Sequence, residues 1–205
     1  EVELVRASKT QVLFRKDDNL TKQGAFASYV LFIINGLAKQ YLEGDGGRSF
    51  NLRIVRPGEF VGLSTVFTKN TFETSSVALT ECQVYLIEKA ALARVVQQNG
   101  SFAHNIIRRY CEQNGNLLDT VSSLMYRQMN GRLAEALLYL NGLKPEYPAI
   151  FQMLSRKDLA DFAGISMESA VKLLKTFEKD GLLELKEKDI ELKDLPTLNE
   201  ILKRG

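Results

Sequence analysis

The stretch most suited to chemistry lies between Ser155 and Lys175, where two short helices are predicted on either side of a tight turn. Ser155, followed three residues later by Asp158, is a capping-box pattern that begins a helix. Gly164 falls where the first helix must end in a left-handed turn, because a residue without a Cβ adopts that conformation without a clash. Ser166 can then cap the second helix. This order predicts a helix-turn-helix with an inward-facing set formed by Leu159, Ala163, Ile165, Ala170 and Leu173.

The second helix of this motif leaves polar side chains on its N-terminal half, the half that enters the major groove in helix-turn-helix proteins. Glu168 would be costly beside phosphates unless it accepts from a base, and cytosine N4 is the natural donor, worth about 1–3 kcal/mol of discrimination. Lys172 can reach guanine or a phosphate, while Ser166, Arg156 and Lys175 suit phosphate contacts. For each of these residues, the alternative is that the side chain lies on a solvent-exposed helix face and contacts no DNA. The predicted DNA-binding residues are Ser155, Arg156, Ser166, Met167, Glu168, Ser169, Lys172 and Lys175.

Composition restricts the class of protein less than this motif does. The net charge is +2, and from residue 131 onward 12 Lys and Arg face 13 Asp and Glu. The DNA-binding prediction therefore depends on where the charges lie. Two cysteines are too few for a disulfide framework and fit a reducing compartment, so the expected location is the cytoplasm.

The elements that must position the motif begin with a β-rich segment. Short runs rich in β-branched and aromatic residues alternate with turn signals such as Asn35-Gly36 and Pro57-Gly58, which predicts a β-sandwich or roll. The predicted strands are residues 12–14, 29–34, 36–42, 48–55 and 83–87. A cupin enzyme or a small-molecule sensor would fit this pattern. The enzyme is disfavoured because the roll contains no histidine and no paired base or metal triad.

A long helix is predicted next, over residues 101–128. Steps of four and three residues give it the seam of a coiled coil, and a second apolar stripe runs through Ile107, Cys111, Leu118 and Met125. Two apolar faces require two partners, which we expect to be the roll and the same helix of a second chain. A single helix buried within one domain is the alternative. The predicted dimer seam is Tyr110, Asn114, Leu117, Val121, Leu124 and Gln128.

The last third is predicted to be helical with a late hairpin. An amphipathic helix over 132–141 is followed by the two motif helices and a two-stranded wing over 182–192. The predicted fold is α+β: an N-terminal β-roll (double-stranded β-helix or jelly roll) sensor domain over 1–100, a dimerisation helix over 101–130, and a C-terminal winged helix-turn-helix domain over 131–205.

Over essentially its whole length the chain resembles the cyclic-AMP receptor protein/fumarate-nitrate regulator (CRP/FNR) family. The matching stretches are Pro57–Gly62 in the roll, Gly131–Ala134 after the long helix, and Glu168-Ser169 with Lys172 in the reading helix. The resemblance implies a homodimeric transcription regulator that reads a two-fold-symmetric operator and contacts RNA polymerase. We expect the long helix to pass changes in the roll to a joint around Asn130-Gly131.

The effector does not follow from the resemblance. Cyclic-AMP-binding members carry Gly-Glu-Leu and an Arg-Ser pair where this chain reads Gly62-Leu63-Ser64 and Glu73-Thr74. A carboxylate facing the cyclic phosphate is repelled by on the order of 4 kcal/mol at about 4 Å and intermediate screening. Leu117-Leu118 likewise replaces a Thr-Ser pair, so cyclic AMP is not expected. The pocket should be more apolar, taking a small hydrophobic ligand, a gas-carrying cofactor or nothing; its predicted lining is Gly62, Leu63, Ser64, Glu73, Thr74, Leu117 and Leu118.

Other cofactors are weakly supported by the residue types. An iron–sulfur cluster needs about four cysteine ligands, and the chain has two. Haem stays open as an alternative, with an axial ligand from His104, Cys82 or Cys111, although a lone histidine at the start of a helix is more often a surface or packing residue. A cyclic-nucleotide-binding module of a kinase or channel is opposed by the altered pocket and by the lack of a membrane-spanning run.

The reading helix also departs from the cyclic-AMP-binding members. Met167 stands where they usually place an arginine directly before the glutamate, and Lys172 stands where they place an arginine one turn on. Lysine lacks the bidentate fork of arginine, so guanine recognition should be softer. We expect a half-site that keeps the base pair read by Glu168 and differs beside it.

Overall fold

The structure is a computed structural model that describes residues 9–204. Its N-terminal part contains eight β-strands within the described residues. In chain order they are β1 (Lys9–Phe14), β2 (Asn19–Thr21), β3 (Tyr29–Asn35), β4 (Ala38–Glu43), β5 (Ser49–Val55), β6 (Phe60–Val61), β7 (Ser75–Ala78) and β8 (Cys82–Glu88). They form two antiparallel four-stranded sheets, in the orders β1-β8-β3-β6 and β2-β7-β4-β5.

The core of this β-roll consists of inward-facing residues from both sheets. Strand alternation brings Ile33 and Val84 from one sheet together with Ala38, Val55 and Ala78 from the other. A second apolar cluster, formed by Val30, Ile87 and Leu92, lies against the helix that follows β8. The predicted β-rich N-terminal part is therefore confirmed.

Three strands were not predicted: β2, β6 and β7. β6 has only two residues, which is too short for an alternation signal. β7 begins with Ser75 and Ser76, which are both fully buried although serine is usually exposed. The Ser75 hydroxyl donates to Glu43 Oε1 and accepts from the Gln23 amide, which satisfies it in the interior.

Two helices follow the roll. α1 (Lys89–Gln98) was not predicted; it buries Ala91, Leu92 and Val95. α2 (Gly100–Tyr126) is the predicted long helix, but it ends two residues earlier than expected. Gln128 has extended backbone (φ −74°, ψ 169°) and precedes the next helix, so its place in the α2 seam was predicted wrongly. The expected joint at Asn130-Gly131 is also displaced, because both residues lie inside that next helix.

The C-terminal part is a small helical domain with a wing. Its elements are α3 (Met129–Leu143), a short 3-10 helix (Ile150–Met153), α4 (Arg156–Ala163), α5 (Met167–Lys179), β9 (Leu183–Lys186), β10 (Asp189–Leu192) and α6 (Leu195–Arg204). α3 packs against α4, α5 and α6 and buries Leu133, Leu137 and Leu140 among them. α6 was not predicted; its Leu198 is fully buried.

The chain divides into two compact units between Asn116 and Leu117. The first contains the β-roll, α1 and the beginning of α2, and the second contains the end of α2 and the winged domain. Within residues 9–204, no helix is long and apolar enough to cross a membrane.

Candidate DNA interface and effector pocket

The N-terminus of α4 has the predicted capping box. The Ser155 hydroxyl accepts from the Asp158 amide at 3.1 Å, and Asp158 Oδ2 accepts from the Ser155 amide at 2.8 Å. Two otherwise unpaired amides are thereby satisfied by one serine and one aspartate. The first helix of the motif consequently begins where the sequence predicts.

The turn between α4 and α5 is also built as predicted. Gly164 is left-handed (φ 60°, ψ 40°), and the Ile165 amide donates to the Ala160 carbonyl at 3.0 Å. Ser166 then caps α5, accepting from the Ser169 amide at 3.1 Å. These bonds fix the two helices of a helix-turn-helix at one angle.

α5 presents a polar stripe opposite its buried face. Ala170, Leu174 and Phe177 are buried, whereas Leu173, which we expected to point inward, is only half-buried. The exposed stripe on the other side repeats at four, three and four residues; we call Glu168, Lys172, Lys175 and Lys179 the α5 stripe. Within the described part of the chain none of these four side chains has an ion-pair or hydrogen-bond partner. Met167, beside Glu168, is 49% exposed, while Ser169 is half-buried by its role in the cap.

Arg156 does not project freely as expected for a phosphate contact. It is half-buried, and its Nη2 donates to the Glu187 carbonyl at the wing tip, at 3.4 Å. Burial lowers the pKa of its guanidinium, and nearby Glu178 acts in the opposite direction. Glu178 Oε1 in turn accepts from the Leu185 amide of β9 at 2.9 Å. Arg156 and Glu178 therefore join the motif to the wing, a role that the sequence did not reveal.

The strands of the wing carry a closed network of ion pairs. Lys193 contacts Glu191 at 2.8 Å and Glu184 at 3.0 Å, and Lys186 pairs with both carboxylates as well. Hydrogen bonds from Lys186 and then Lys193 lower the pKa of Glu191 to about 2. The strand lysines are thus neutralised locally. Lys188 lies exposed at the tip, and among residues 9–204 it has no carboxylate partner.

In the roll, Gly62 occupies a turn that no other residue would fit easily. Its φ is +76°, and a Cβ added there would lie 2.6 Å from Cε1 of Phe72. The Phe72 ring, itself packed against the roll core, fills the space beside this turn. Phe72 was not among the predicted pocket residues.

The other predicted pocket residues of the roll do not form one apolar lining. Leu63 packs against the cluster of Val30, Ile87 and Leu92, and Ser64 is half-buried in the 3-10 helix Leu63–Val66. Glu73 is exposed.

Thr74 belongs to a polar chain inside the roll. Thr74 Oγ1 accepts from Gln40 Nε2 at 2.7 Å, Gln40 Oε1 accepts from Arg53 Nε at 2.8 Å, and Arg53 Nη1 pairs with Glu59 at 2.7 Å. Gln40, Arg53 and Ser76 share the face of the sheet that carries Ala38 into the core, because they are register partners. The surroundings of Thr74 are therefore polar, contrary to the expected apolar pocket.

The two apolar faces predicted for α2 are uncovered in the single chain. Leu117 is 46% exposed, Leu118 62% and Val121 44%, and the seam residues Tyr110, Asn114 and Leu124 are exposed too. Such a row of large apolar side chains at coiled-coil spacing marks an interaction surface.

The candidate haem ligands are scattered. His104 and Cys111 are exposed on α2, while Cys82 is buried and its thiol donates to the Leu37 carbonyl at 3.3 Å. Burial raises the pKa of the Cys82 thiol, which disfavours the thiolate that a metal requires. Within residues 9–204 no group of three or more His, Cys, Asp or Glu is placed to hold a metal ion.

Comparisons with known proteins cover both parts of the chain. The cyclic nucleotide-binding domain family matches residues 11–99, and the Crp-like helix-turn-helix domain family matches residues 131–201. The transcriptional regulatory protein btr of Bordetella pertussis is 27% identical, over 98% of this chain and 81% of its own length. The cyclic AMP receptor protein of Thermus thermophilus is 22% identical, over 98% and 92% respectively.

The solved structures agree with the fold. The c-di-GMP-responsive global regulator CLP of Xanthomonas campestris superposes with a TM-score of 0.80 at 24% identity, covering 94% of this chain and 98% of its own.

With both family matches in the same order along one chain, the resemblance drawn from the sequence is confirmed. The chain belongs to the CRP/FNR family of helix-turn-helix, DNA-binding transcription regulators rather than to a family of enzymes.

Proposed function

We propose that the protein is a homodimer that binds a two-fold-symmetric DNA operator and reads base edges with the N-terminal half of α5. The observation that carries this proposal is the α5 stripe, which has one carboxylate at the N-terminal end and three lysines behind it, all without partners in the described chain. Glu168 accepts from cytosine N4, and Lys172 contacts guanine or a phosphate. Lys175, Ser155, Ser166 and the wing-tip Lys188 contact phosphates.

The dimer is proposed to form through α2. Half-exposed leucines and valines at coiled-coil spacing are better buried than solvated, and a second copy of the same helix supplies the matching row. Two copies of α5 would then lie about 34 Å apart, one turn of DNA. The proposed functional division keeps a sensor roll over 1–100, a dimerisation helix over 101–130 and a DNA-binding domain over 131–205. Contact with RNA polymerase and a cytoplasmic location are inferred from the family and from cysteine usage.

The roll is proposed not to respond to cyclic AMP. Leu63 packs in an apolar cluster, and Phe72 fills the space beside the Gly62 turn. Glu73 places a carboxylate where a cyclic phosphate would require a cation. The guanidinium groups of Arg53 and Arg56 are both already paired with Glu59, at 2.7 Å and 3.7 Å. These residues do not fit an anionic cyclic phosphate, so the ligand of the relative from Thermus thermophilus does not carry over.

A selection experiment tests this function. The purified protein would be incubated with a pool of randomised duplexes, and bound DNA would be sequenced. We expect an inverted repeat whose half-sites are about one helical turn apart, with binding that weakens steeply as salt increases. Enrichment of no sequence, together with salt-insensitive background binding, would contradict the proposal.

A further inference from the structure

The joint between α2 and α3 consists of two residues, Arg127 and Gln128, and the helical backbone breaks at Gln128. α2 ends at Tyr126 and α3 begins at Met129, while Gln128 between them has ψ of 169°. The Gln128 carbonyl accepts from the Arg132 amide at 3.0 Å, but its side chain makes no capping bond to α3. Neither a proline nor a capping bond from the Gln128 side chain fixes the backbone at this break.

One carboxylate links the two helices across this joint. Glu135, in the second turn of α3, accepts from the hydroxyl of Ser123 with Oε2 and from Nη1 of Arg127 with Oε1, the latter at 2.6 Å. Ser123 lies in the last turn of α2 and is only 4% exposed. Arg127 is the residue immediately before the break. We call Ser123, Arg127 and Glu135 the joint clamp.

The chemistry of the clamp requires a carboxylate. Both of its oxygens are used as acceptors, by a neutral hydroxyl and by a cation, and only an ionised carboxylate offers two acceptor atoms in this arrangement. A glutamine would turn an N–H₂ group toward one of these two donors. The buried Ser123 hydroxyl or the Arg127 guanidinium would then lose its partner.

α3 transmits the angle of the joint to the reading helix. It packs directly on α4 and α5 through buried residues that include Leu133, Leu137 and Leu140. The helix-turn-helix therefore moves with α3 as one packed unit.

We propose that the joint clamp fixes the angle between α2 and α3 and that Glu135 is a positioning residue for DNA binding. The effect on DNA rests on the proposed function, whereas the effect on the angle does not. No residue of the clamp lies on the α5 stripe or on the predicted dimer seam, so its contribution is separable from base contact and from association.

The angle is tested with spin labels on α2 and α3. Cysteines would replace Asp119 and Gly142, both exposed, in a chain that also carries Cys111→Ser. Labelled protein would be diluted with unlabelled protein, so that double electron–electron resonance reports the distance between the two labels within one chain. We expect Glu135→Gln to broaden or displace the distance distribution and Arg127→Met to reproduce the change. Glu112→Gln, which removes the same charge from the outer face of α2, should leave it unchanged.

DNA affinity measured by fluorescence anisotropy completes the test. We expect Glu135→Gln to weaken binding to the selected duplex by about tenfold, the loss typical of a charged hydrogen bond. A distance distribution that superposes on that of the unmodified protein, in both clamp variants, would overturn the proposal. A changed distribution with unchanged affinity would overturn the positioning role. If the unmodified protein binds no duplex but the distribution still changes, the proposed function fails and the clamp stands.

Discussion

Charging the α2 seam should separate the dimer and abolish high-affinity DNA binding. The perturbation is the double substitution Leu117→Asp and Val121→Asp, at two seam positions that are 46% and 44% exposed in the single chain. Burying the exposed half of each side chain is worth about 1 kcal/mol. Two side chains on each of two chains therefore contribute about 4 kcal/mol, so the dimer dissociation constant should rise by about a thousandfold.

Sedimentation velocity across a concentration series measures this change directly, and anisotropy with a two-half-site duplex measures its consequence. A matched control, Asn105→Asp with Asn116→Asp, adds the same two charges to exposed positions of α2 that lie on neither apolar row. We expect the control to remain dimeric and to bind DNA normally. A seam variant that stays dimeric, or a monomeric variant that binds the full operator as tightly as the unmodified protein, would refute the reasoning.

Three further results are expected. Ser166→Ala removes the α5 cap and should lower the free energy of unfolding of the winged domain by about 1 kcal/mol in urea titrations, whereas Ser166→Asp should retain most of it; equal stability of all three proteins would count against the cap. Glu191 should titrate with a pKa of about 2 in carboxyl-carbon NMR. Because folding lowers this pKa, the ion pairs of Glu191 stabilise the folded protein fully above the ordinary value of 4.5, and this stabilisation is lost as the pH falls through about 2. Lys186→Met should raise the pKa of Glu191, and an unchanged pKa would contradict the ion-pair network. Cyclic AMP at millimolar concentration should neither alter operator affinity nor release heat on titration, and a tenfold gain in affinity would disprove our account of the roll.

Local signals explain what could be predicted from the sequence. Capping serines, a glycine in a left-handed turn and alternating strands act through near neighbours, so the ends of the helix-turn-helix and of β3, β5 and β8 were predicted to within one residue. β1 begins three residues before its predicted start. β7 escaped prediction because the hydrogen-bond partners that satisfy its buried Ser75, Glu43 and Gln23, lie more than thirty residues away in the chain. The coiled-coil spacing of the sequence continues to Gln128, but the helix ends before it. The sequence did not reveal this end because no proline or glycine stands at the break.

Roles that depend on distant partners were missed for the same physical reason. Arg156 was expected to face DNA, but the wing supplies the Glu187 carbonyl thirty-one residues later. Glu135 has no feature in the sequence that distinguishes it from a solvated helical glutamate. Only the folded joint shows that Ser123 and Arg127 converge on its carboxylate.

The central claim is that α5 reads base edges through Glu168. Its most direct test is a set of duplexes that carry every single base-pair change in the selected half-site, titrated with the unmodified protein and with Glu168→Ala, and with Glu112→Ala as a charge-matched control. We predict that Glu168→Ala removes about 1–3 kcal/mol of discrimination at one C·G pair and leaves the other positions nearly unchanged. A specificity profile that is identical for the unmodified protein and Glu168→Ala at every position would contradict the account.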